Sequence, residues 1–230
     1  MAIGPDPADK TAIRDAATII VLRRGAVPSV LMGQRGAGAA FMPSKFVFPG
    51  GAVDAVDHTI PVTLPDDQAQ ALAQDSALPA TVLAAAAIRE LWEETGQIIG
   101  TPGTWPDPPR GWRGYAATGH VPDAARLRYF FRAVTPQGRP RRFDARFFLA
   151  DAADLRTDPD DFDRAEDELS LLQWVPLAQA RTFDLPFITE VVLAELMAHL
   201  ADPAAPLTVP FFRNDDEAHL VSRLAGARLI

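Results

Sequence analysis

The apolar positions of the chain fall into two kinds of run. Residues 16–24 (Ala-Ala-Thr-Ile-Ile-Val-Leu-Arg-Arg) are mostly apolar before the arginines, which predicts a buried strand. Residues 28–35 are its expected partner across a turn at Gly25, and residues 45–48 form a short strand. Residues 127–135, 143–150 and 169–175 read as further strands, the first two joined by a turn over 136–140. The second kind of run is helical. An alanine-rich stretch starts near Pro79, which suits a first turn, and ends at Gly96, a natural stop. Residues 185–200 put Ile188, Val191, Val192, Leu196 and Leu200 on one side, predicting an extra C-terminal amphipathic helix. Short helices are expected over 66–75 and 177–181, and partial helix over 116–126. Residues 100–113 hold too much Pro and Gly for regular structure. Strands alternating with two principal helices imply an α/β fold with a mixed sheet between helical layers. With no repeat or linker in view, residues 1–230 read as a single domain, with a polar lead-in over 1–15.

Chemistry enters through the end of the alanine-rich helix. At about 100° per residue, Glu90, Glu93 and Glu94 share one narrow face. Ala84, Ile88 and Leu91 point to the other side, so one face can be buried while the other holds three carboxylates. Like charges at i,i+3 and i,i+4 repel, and an isolated helix would not prefer this arrangement. A hard divalent cation would neutralise it, and Mg²⁺ takes oxygen ligands. Three glutamates by themselves also fit a solvated acidic surface.

Composition narrows the field. The absence of cysteine removes disulfides, thiolate metal sites and cysteine nucleophiles, and fits a reducing cytoplasm. A net charge of -8 argues against binding long nucleic acid, which requires Lys and Arg against phosphates. It leaves room for a small phosphorylated substrate held by a few arginines. No apolar run is long enough to span a membrane, and residues 1–14 lack the layout of a signal peptide. The expected location is therefore cytoplasmic. A homodimer is left open.

The octet Arg89-Glu90-Leu91-Trp92-Glu93-Glu94-Thr95-Gly96, preceded by Phe48-Pro49-Gly50-Gly51, resembles the signature of the Nudix hydrolases. The resemblance implies an α/β/α sandwich. It also implies that Glu90, Glu93 and Glu94 hold Mg²⁺ or Mn²⁺, helped by a backbone carbonyl near Gly51, while Arg89 orients a glutamate. The chain departs from the usual pattern in three ways. Residues 52–78 look like an insertion that splits the motif. Thr81 stands where a further glutamate would lie, eight residues before Arg89, and Asp54 or Asp57 can stand in for it or simply cap a loop. Gln97 replaces the usual apolar residue after the glycine. Together with residues 136–150, the split motif resembles the branch containing acyl-coenzyme A diphosphatases. The C-terminal Arg228-Leu229-Ile230 is not the Ser-Lys-Leu type of peroxisomal address.

Many Nudix enzymes carry a base or an extra metal ligand on a loop away from the signature. Glu166 and Glu168, just before the strand at 169, are the candidates here, Glu168 foremost. Arg142 and Arg146 alternate with Asp144 on one strand face and either pair with it or grip phosphates. Arg35 is a further phosphate candidate. Trp105, Trp112 and Tyr115 either stack on an adenine or pin the irregular segment to the core. The four histidines are scattered without metal-ligand spacing. The expected activity is metal-dependent cleavage of a phosphoanhydride in a small-molecule nucleoside diphosphate derivative, with coenzyme A or acyl-coenzyme A as leading substrate. ADP-ribose, dinucleotides or sugar nucleotides are the alternative, and a catalytically silent ligand sensor is a further one.

Overall fold

The computed structural model describes residues 12–39, 41–215 and 218–223, with side chains described as far as residue 213. The strands are β1 (Ile13–Arg23), β2 (Ser29–Arg35), β3 (Phe46–Val47), β4 (Gly50–Ala52), β5 (Gly100–Pro102), β6 (His120–Pro122), β7 (Arg128–Val134), β8 (Arg142–Asp151), β9 (Leu169–Pro176), β10 (Pro210–Asp215) and β11 (Ala218–Arg223). The helices are α1 (Asp66–Leu72), α2 (Ala80–Thr95), α3 (Arg113–Ala117) and α4 (Phe187–Ala201). Among the described residues, nine strands join in one mixed sheet in the order β11-β10-β7-β8-β1-β2-β3. Strand β4 adds to β1 and β9 adds to β2, while β5 and β6 pair separately.

The centre of the sheet follows from the mostly apolar run. Strand β1 lies parallel to β8 from Ile13↔Arg142 to Leu22↔Asp151 and antiparallel to β2. Alternation sends Ala17, Ile19 and Val21 to the layer containing α2, and Ile20 and Leu22 to the layer containing α4. Phe148 and Ala150 of β8 join the first layer; Phe147 and Leu149 join the second. Helices therefore cover both faces, giving the expected α/β/α sandwich. On α4, Val192, Leu193 and Leu196 are buried, with Ile188, Val191 and Leu200 partly buried beside them.

The insertion is part of the core. After β4, a single-turn 3₁₀ helix (Ala55–Thr59) and α1 pack against α2, and Ile60, Val62 and Leu72 belong to the α2-side core. Backbone carbonyls of Gln74 and Asp75 accept hydrogen bonds from Arg132, and Ser76 accepts one from Arg146. This cover changes the expectation for α2. Ala84 through Ala87 are fully buried, and so are Glu90 and Glu94 nearly, so no acidic face is left open to solvent. Of the three glutamates only Glu93 is partly exposed.

Other boundaries also differ from the sequence reading. Strand β1 starts at Ile13, inside the expected lead-in, because Asp15 is tied to Arg146 and residues 13–15 continue the β8 ladder. The rest of the lead-in, residues 1–11, lies outside the described residues, as do residues 228–230. Residues 113–117 are helical, but the chain then turns through Gly119 and extends as β6 against β5 rather than continuing as helix. The hairpin of β10 and β11, with β10 parallel to β7, is not foreseen by the apolar pattern.

Leu72→Ala removes a fully buried side chain from the insertion and should destabilise the protein by about 2–5 kcal/mol in denaturant unfolding, within one cooperative transition. A change near zero, or a separate early transition, would mark the insertion as an independent appendage.

Candidate active site

The site is assembled where α2 meets β4. The register Ala17↔Gly51 and Thr18↔Gly50 lays the glycine pair on β1, directly under the last two turns of α2. Gly51 is required by this closeness: a Cβ there would lie 2.5 Å from a Glu90 carboxylate oxygen. At the helix end Gly96 adopts φ +71°, a left-handed conformation suited to glycine, and its N–H caps the Trp92 carbonyl at 2.8 Å.

Arg89 is the hub. Its Nη1 donates to Glu90 Oε1 at 2.7 Å and Glu93 Oε2 at 2.8 Å. Its Nε and Nη2 donate to the two oxygens of Asp57 at 2.9 and 3.0 Å, and Nη2 also donates to the Ala52 carbonyl at 3.0 Å. Burial alone would weaken the guanidinium as a base-bound cation; the Asp57 hydrogen bonds and the charges of Glu90, Asp57 and Glu93 reverse this and hold it protonated. The Gly50 N–H donates to Glu94 Oε2 at 2.7 Å, while the buried Glu94 Oε1 has no partner.

Burial raises all three glutamates. Glu90 is pushed up to about 7, burial outweighing the Arg89 contact. Burial also raises Glu93, again against Arg89. Glu94 stands well above the usual carboxylate range through burial and the neighbouring Glu90 charge. Among the described residues no three His, Asp or Glu side chains converge as a closed ligand set. Glu90 and Glu93 turn to Arg89, and Glu94 turns to Gly50. The donors still suit a hard cation: they are oxygens, they repel one another at elevated pKa, and one buried carboxylate oxygen is unpartnered.

Glu168 comes from the segment before β9 and sits close enough to raise both Glu90 and Glu94 by its charge. Its carboxylate pairs with Arg35 Nη2 at 2.9 Å. Glu166 lies beside Glu93: its N–H donates to the Glu93 carbonyl at 2.7 Å, and its charge raises the Glu93 carboxyl. Gln97 explains its own departure from the apolar pattern. It is fully buried, its amide donates to the Asp158 and Asp161 carbonyls, and it accepts from Thr157 Oγ1, so it anchors the loop that leads to Glu166 and Glu168.

Next to this cluster opens a cavity of about 930 Å³ on the α4 side of the sheet. Gly50, Gly51, Glu168 and Arg35 form the wall that it shares with the cluster. The walls are mainly apolar, and Arg14, Lys45, Arg139 and Arg141 line it as further cations. The expected pair Arg142 and Arg146 is not in this lining. Strand alternation turns position 146 to the α2 side, where Arg146 is fully buried and paired with Asp15 and Asp144. Asp144 is also gripped by both Nε and Nη2 of Arg132. Arg142 directs its Nε to the Thr135 carbonyl. Of the two readings of this arginine pair, the geometry favours internal pairing with Asp144 for Arg146. Trp112 and Tyr115 are buried in a chain of ring contacts, edge-to-face from Trp92 through Tyr115 to Trp112 and tilted from Trp112 to Trp105, so they pin the irregular segment to the core. Sequence reading missed the four added cations, whose approach to one cavity depends on tertiary packing. It also missed the grip of Asp57 on Arg89, although the spacing Asp54-x-x-Asp57 already signals a helix cap.

A fold of this kind, with an acidic helix packed on a glycine pair, defines a class of hydrolase. The NUDIX domain family matches residues 12–196, and the chain belongs to that family. No curated protein matches the chain. Among solved structures, a NUDIX hydrolase from Alicyclobacillus acidocaldarius is 28% identical with a TM-score of 0.62, over 86% of this chain and 98% of that one. The NUDIX domain of Shewanella oneidensis NrtR, complexed with ADP ribose, is 13% identical with a TM-score of 0.48, over 86% and 94%. A C. elegans Ap4A hydrolase is 17% identical with a TM-score of 0.44, over 82% and 98%. By family the chain is an enzyme of the pyrophosphohydrolase type, and Nudix hydrolases generally use divalent metal ions. Among the described residues no helix is long and apolar enough to cross a membrane.

The raised glutamates predict a pH dependence of stability. Glu90 keeps its proton to about pH 7 in the folded protein, against 4.5 for the free group. Between those values the folded state binds more protons, so stability falls as pH rises from about 4.5 to about 7, by on the order of 3 kcal/mol. Melting of chelator-treated protein across this range should show the fall, and Glu90→Gln should flatten it; equal slopes would remove Glu90 as its source.

Proposed function

We propose that the protein is a metal-dependent diphosphatase that cleaves the phosphoanhydride of a nucleoside diphosphate linked to another moiety. Coenzyme A or an acyl-coenzyme A is the proposed substrate. The observation that carries this reading is the junction of the buried glutamate cluster with the 930 Å³ cavity across Gly50, Gly51 and Glu168.

In this reading Glu90, Glu93 and Glu94 hold Mg²⁺ or Mn²⁺, with the Gly51 backbone alongside. The ion, when bound, neutralises charge on the phosphoryl oxygens and makes water a better nucleophile. Arg89 holds the Glu90 and Glu93 carboxylates at fixed positions and limits their mutual repulsion. Glu168, exposed at the cavity wall, accepts a proton from the attacking water. Arg35, now paired with Glu168, is positioned to exchange that partner for a phosphate oxygen, and its buried Nε lacks a hydrogen-bond acceptor.

The cavity supports a substrate that is anionic at one end and apolar at the other. Phe41, Met42, Phe143, Phe147, Phe187 and Phe212 supply apolar wall, whereas Arg14, Lys45, Arg139 and Arg141 supply positive charge. A volume near 900 Å³ lies toward the upper end of the range for small-molecule sites and leaves room for a bulky second moiety. A nucleotide bearing an acyl-thioester arm uses both kinds of wall. ADP-ribose and sugar nucleotides use the cations but bring no apolar arm to this wall, whereas a dinucleotide could offer it only a second base. The net charge and the confined cavity make long nucleic acid an unsuitable ligand, and the cysteine-free chain fits a reducing cytoplasm.

The test offers coenzyme A, an acyl-coenzyme A, ADP-ribose, NADH and diadenosine polyphosphates with Mg²⁺ or Mn²⁺ and resolves the products. Release of 3′,5′-ADP and a phosphopantetheine from the coenzyme A compounds is expected. AMP from ADP-ribose or NADH alone would keep the reaction class and overturn the substrate. The double substitution Glu93→Gln/Glu94→Gln should fold and lose roughly 10³-fold or more in kcat; retained turnover would refute the glutamate site.

A further inference from the structure

A row of alanines forms part of the cavity floor. The strand registers set Ala52 of β4 against Ala16 of β1, Ala16 against Ala145 of β8, and Ala145 against Ala133 of β7. Residues opposite one another in a sheet share a face, and all four alanines line the cavity. The neighbouring rows carry larger side chains: Thr18 and Phe147 on one side, Arg14 and Phe143 on the other. The alanines are therefore the bottom of a trough that crosses four strands. At about 4.8 Å per strand spacing, it runs about 14 Å from Ala52 to Ala133.

The two ends of the trough differ. Ala52 follows Gly51, which touches Glu90, so one end opens beside the glutamates. Beyond Ala133 the next residue in the row is Phe212 of β10, which also lines the cavity. Its ring meets that of Phe187 at the start of α4, with centroids 6.0 Å apart, and closes the far end. Phe187 is 67% exposed, so apolar surface is left free there. Backbone groups of β1, β8 and β7 are spent on the ladders between these strands, and the floor offers methyl groups instead of polar partners.

We infer that this trough is the subsite for a slim, extended arm joined to the scissile anhydride. Ala16, Ala145 and Ala133 select the arm by leaving room for it, and Phe212 is the stop that limits its length. The inference rests on the glutamate site and deepens the substrate reading above, since a compact ring fills only part of such a length. A phosphopantetheine arm and a simple alkyl chain share the chemistry required: a phosphate at one end and chain-like length behind it.

The test measures binding to the Mg²⁺-loaded protein by calorimetry, so it does not require turnover. The probes are ribose 5-phosphate, 5′-AMP, 4′-phosphopantetheine and alkyl phosphates from butyl to tetradecyl. Alkyl phosphates should bind roughly threefold tighter per added methylene until the chain reaches Phe212, and no tighter after that. Ala145→Leu, whose added carbons project into the cavity, should abolish the dependence on chain length for all but the shortest chains. It should also weaken phosphopantetheine about tenfold or more, the equivalent of two or more methylenes left unburied. Ala133→Leu should bring the plateau to shorter chains, and Phe212→Ala should move it to longer ones; misfolding cannot produce shifts in opposite directions. Affinity indifferent to chain length, or a plateau that none of these substitutions moves, overturns the inference, even if coenzyme A is cleaved. An equal loss of 5′-AMP affinity in Ala145→Leu would put the base in the trough and overturn it too. A plateau that moves as expected, in a protein that does not cleave coenzyme A compounds, keeps the trough and overturns the substrate. The same movement with phosphopantetheine binding no better than ribose 5-phosphate keeps the trough and makes its occupant an alkyl chain.

Discussion

A buried arginine cannot be left with idle donors, and this constraint organises the protein around Arg89. Taking a guanidinium out of water is costly unless every N–H finds an acceptor and the charge finds carboxylates. Here the acceptors come from three stretches: the helix itself, the residue just after the glycine pair, and the inserted segment. Meeting that demand brings α2 onto β4 and draws the insertion over the helix. The glutamates are thereby buried, and their raised proton affinity is a direct result. Burial is the main cause, and neighbouring carboxylates add to it: Glu93 and Glu168 act on Glu90, and Glu90 and Glu168 act on Glu94. One cation at the centre makes the arrangement tolerable, and a second, divalent one would relieve what remains.

What can be read from sequence follows the range of the interaction. The central strand is legible because burial on both faces leaves a nearly unbroken apolar run over residues 16–22, interrupted by Thr18 alone. The helix α2 is legible because Pro79, the alanines and Gly96 act locally. Glu90, Glu93 and Glu94 are legible because helical periodicity alone puts them together. The depth at which they sit is not, since the cover is provided by Ile60, Val62 and Leu72 from a segment whose own pattern is weak. Strand alternation puts positions 142, 144 and 146 on one side of β8, but it does not say which side of the sheet that is. That single missing bit separates a phosphate-gripping arginine from the core pairing observed for Arg146. Arg139 and Arg141, in the adjoining turn, reach the cavity instead.

The division of labour between the two faces of the sheet has the same origin. The α2 face carries charge in a tightly packed environment, with alanine methyls allowing the helix close to β1. The α4 face holds larger apolar side chains, and the cavity forms at the end of that layer. Gly50 and Gly51 sit where the two environments meet, and the absence of side chains there lets carboxylates on one side stand next to open volume on the other. A polar reaction centre and an apolar receptacle are thus separated by the thickness of a strand.

The tie between Glu93 and Glu166 links two stretches that the sequence keeps far apart. The Glu93 carbonyl accepts the Glu166 N–H, and Gln97 fastens the preceding loop to the end of the same helix. The acidic helix and the segment bearing Glu168 are therefore mechanically joined, although they are remote in sequence. A displacement of either one is transmitted to the other through the backbone.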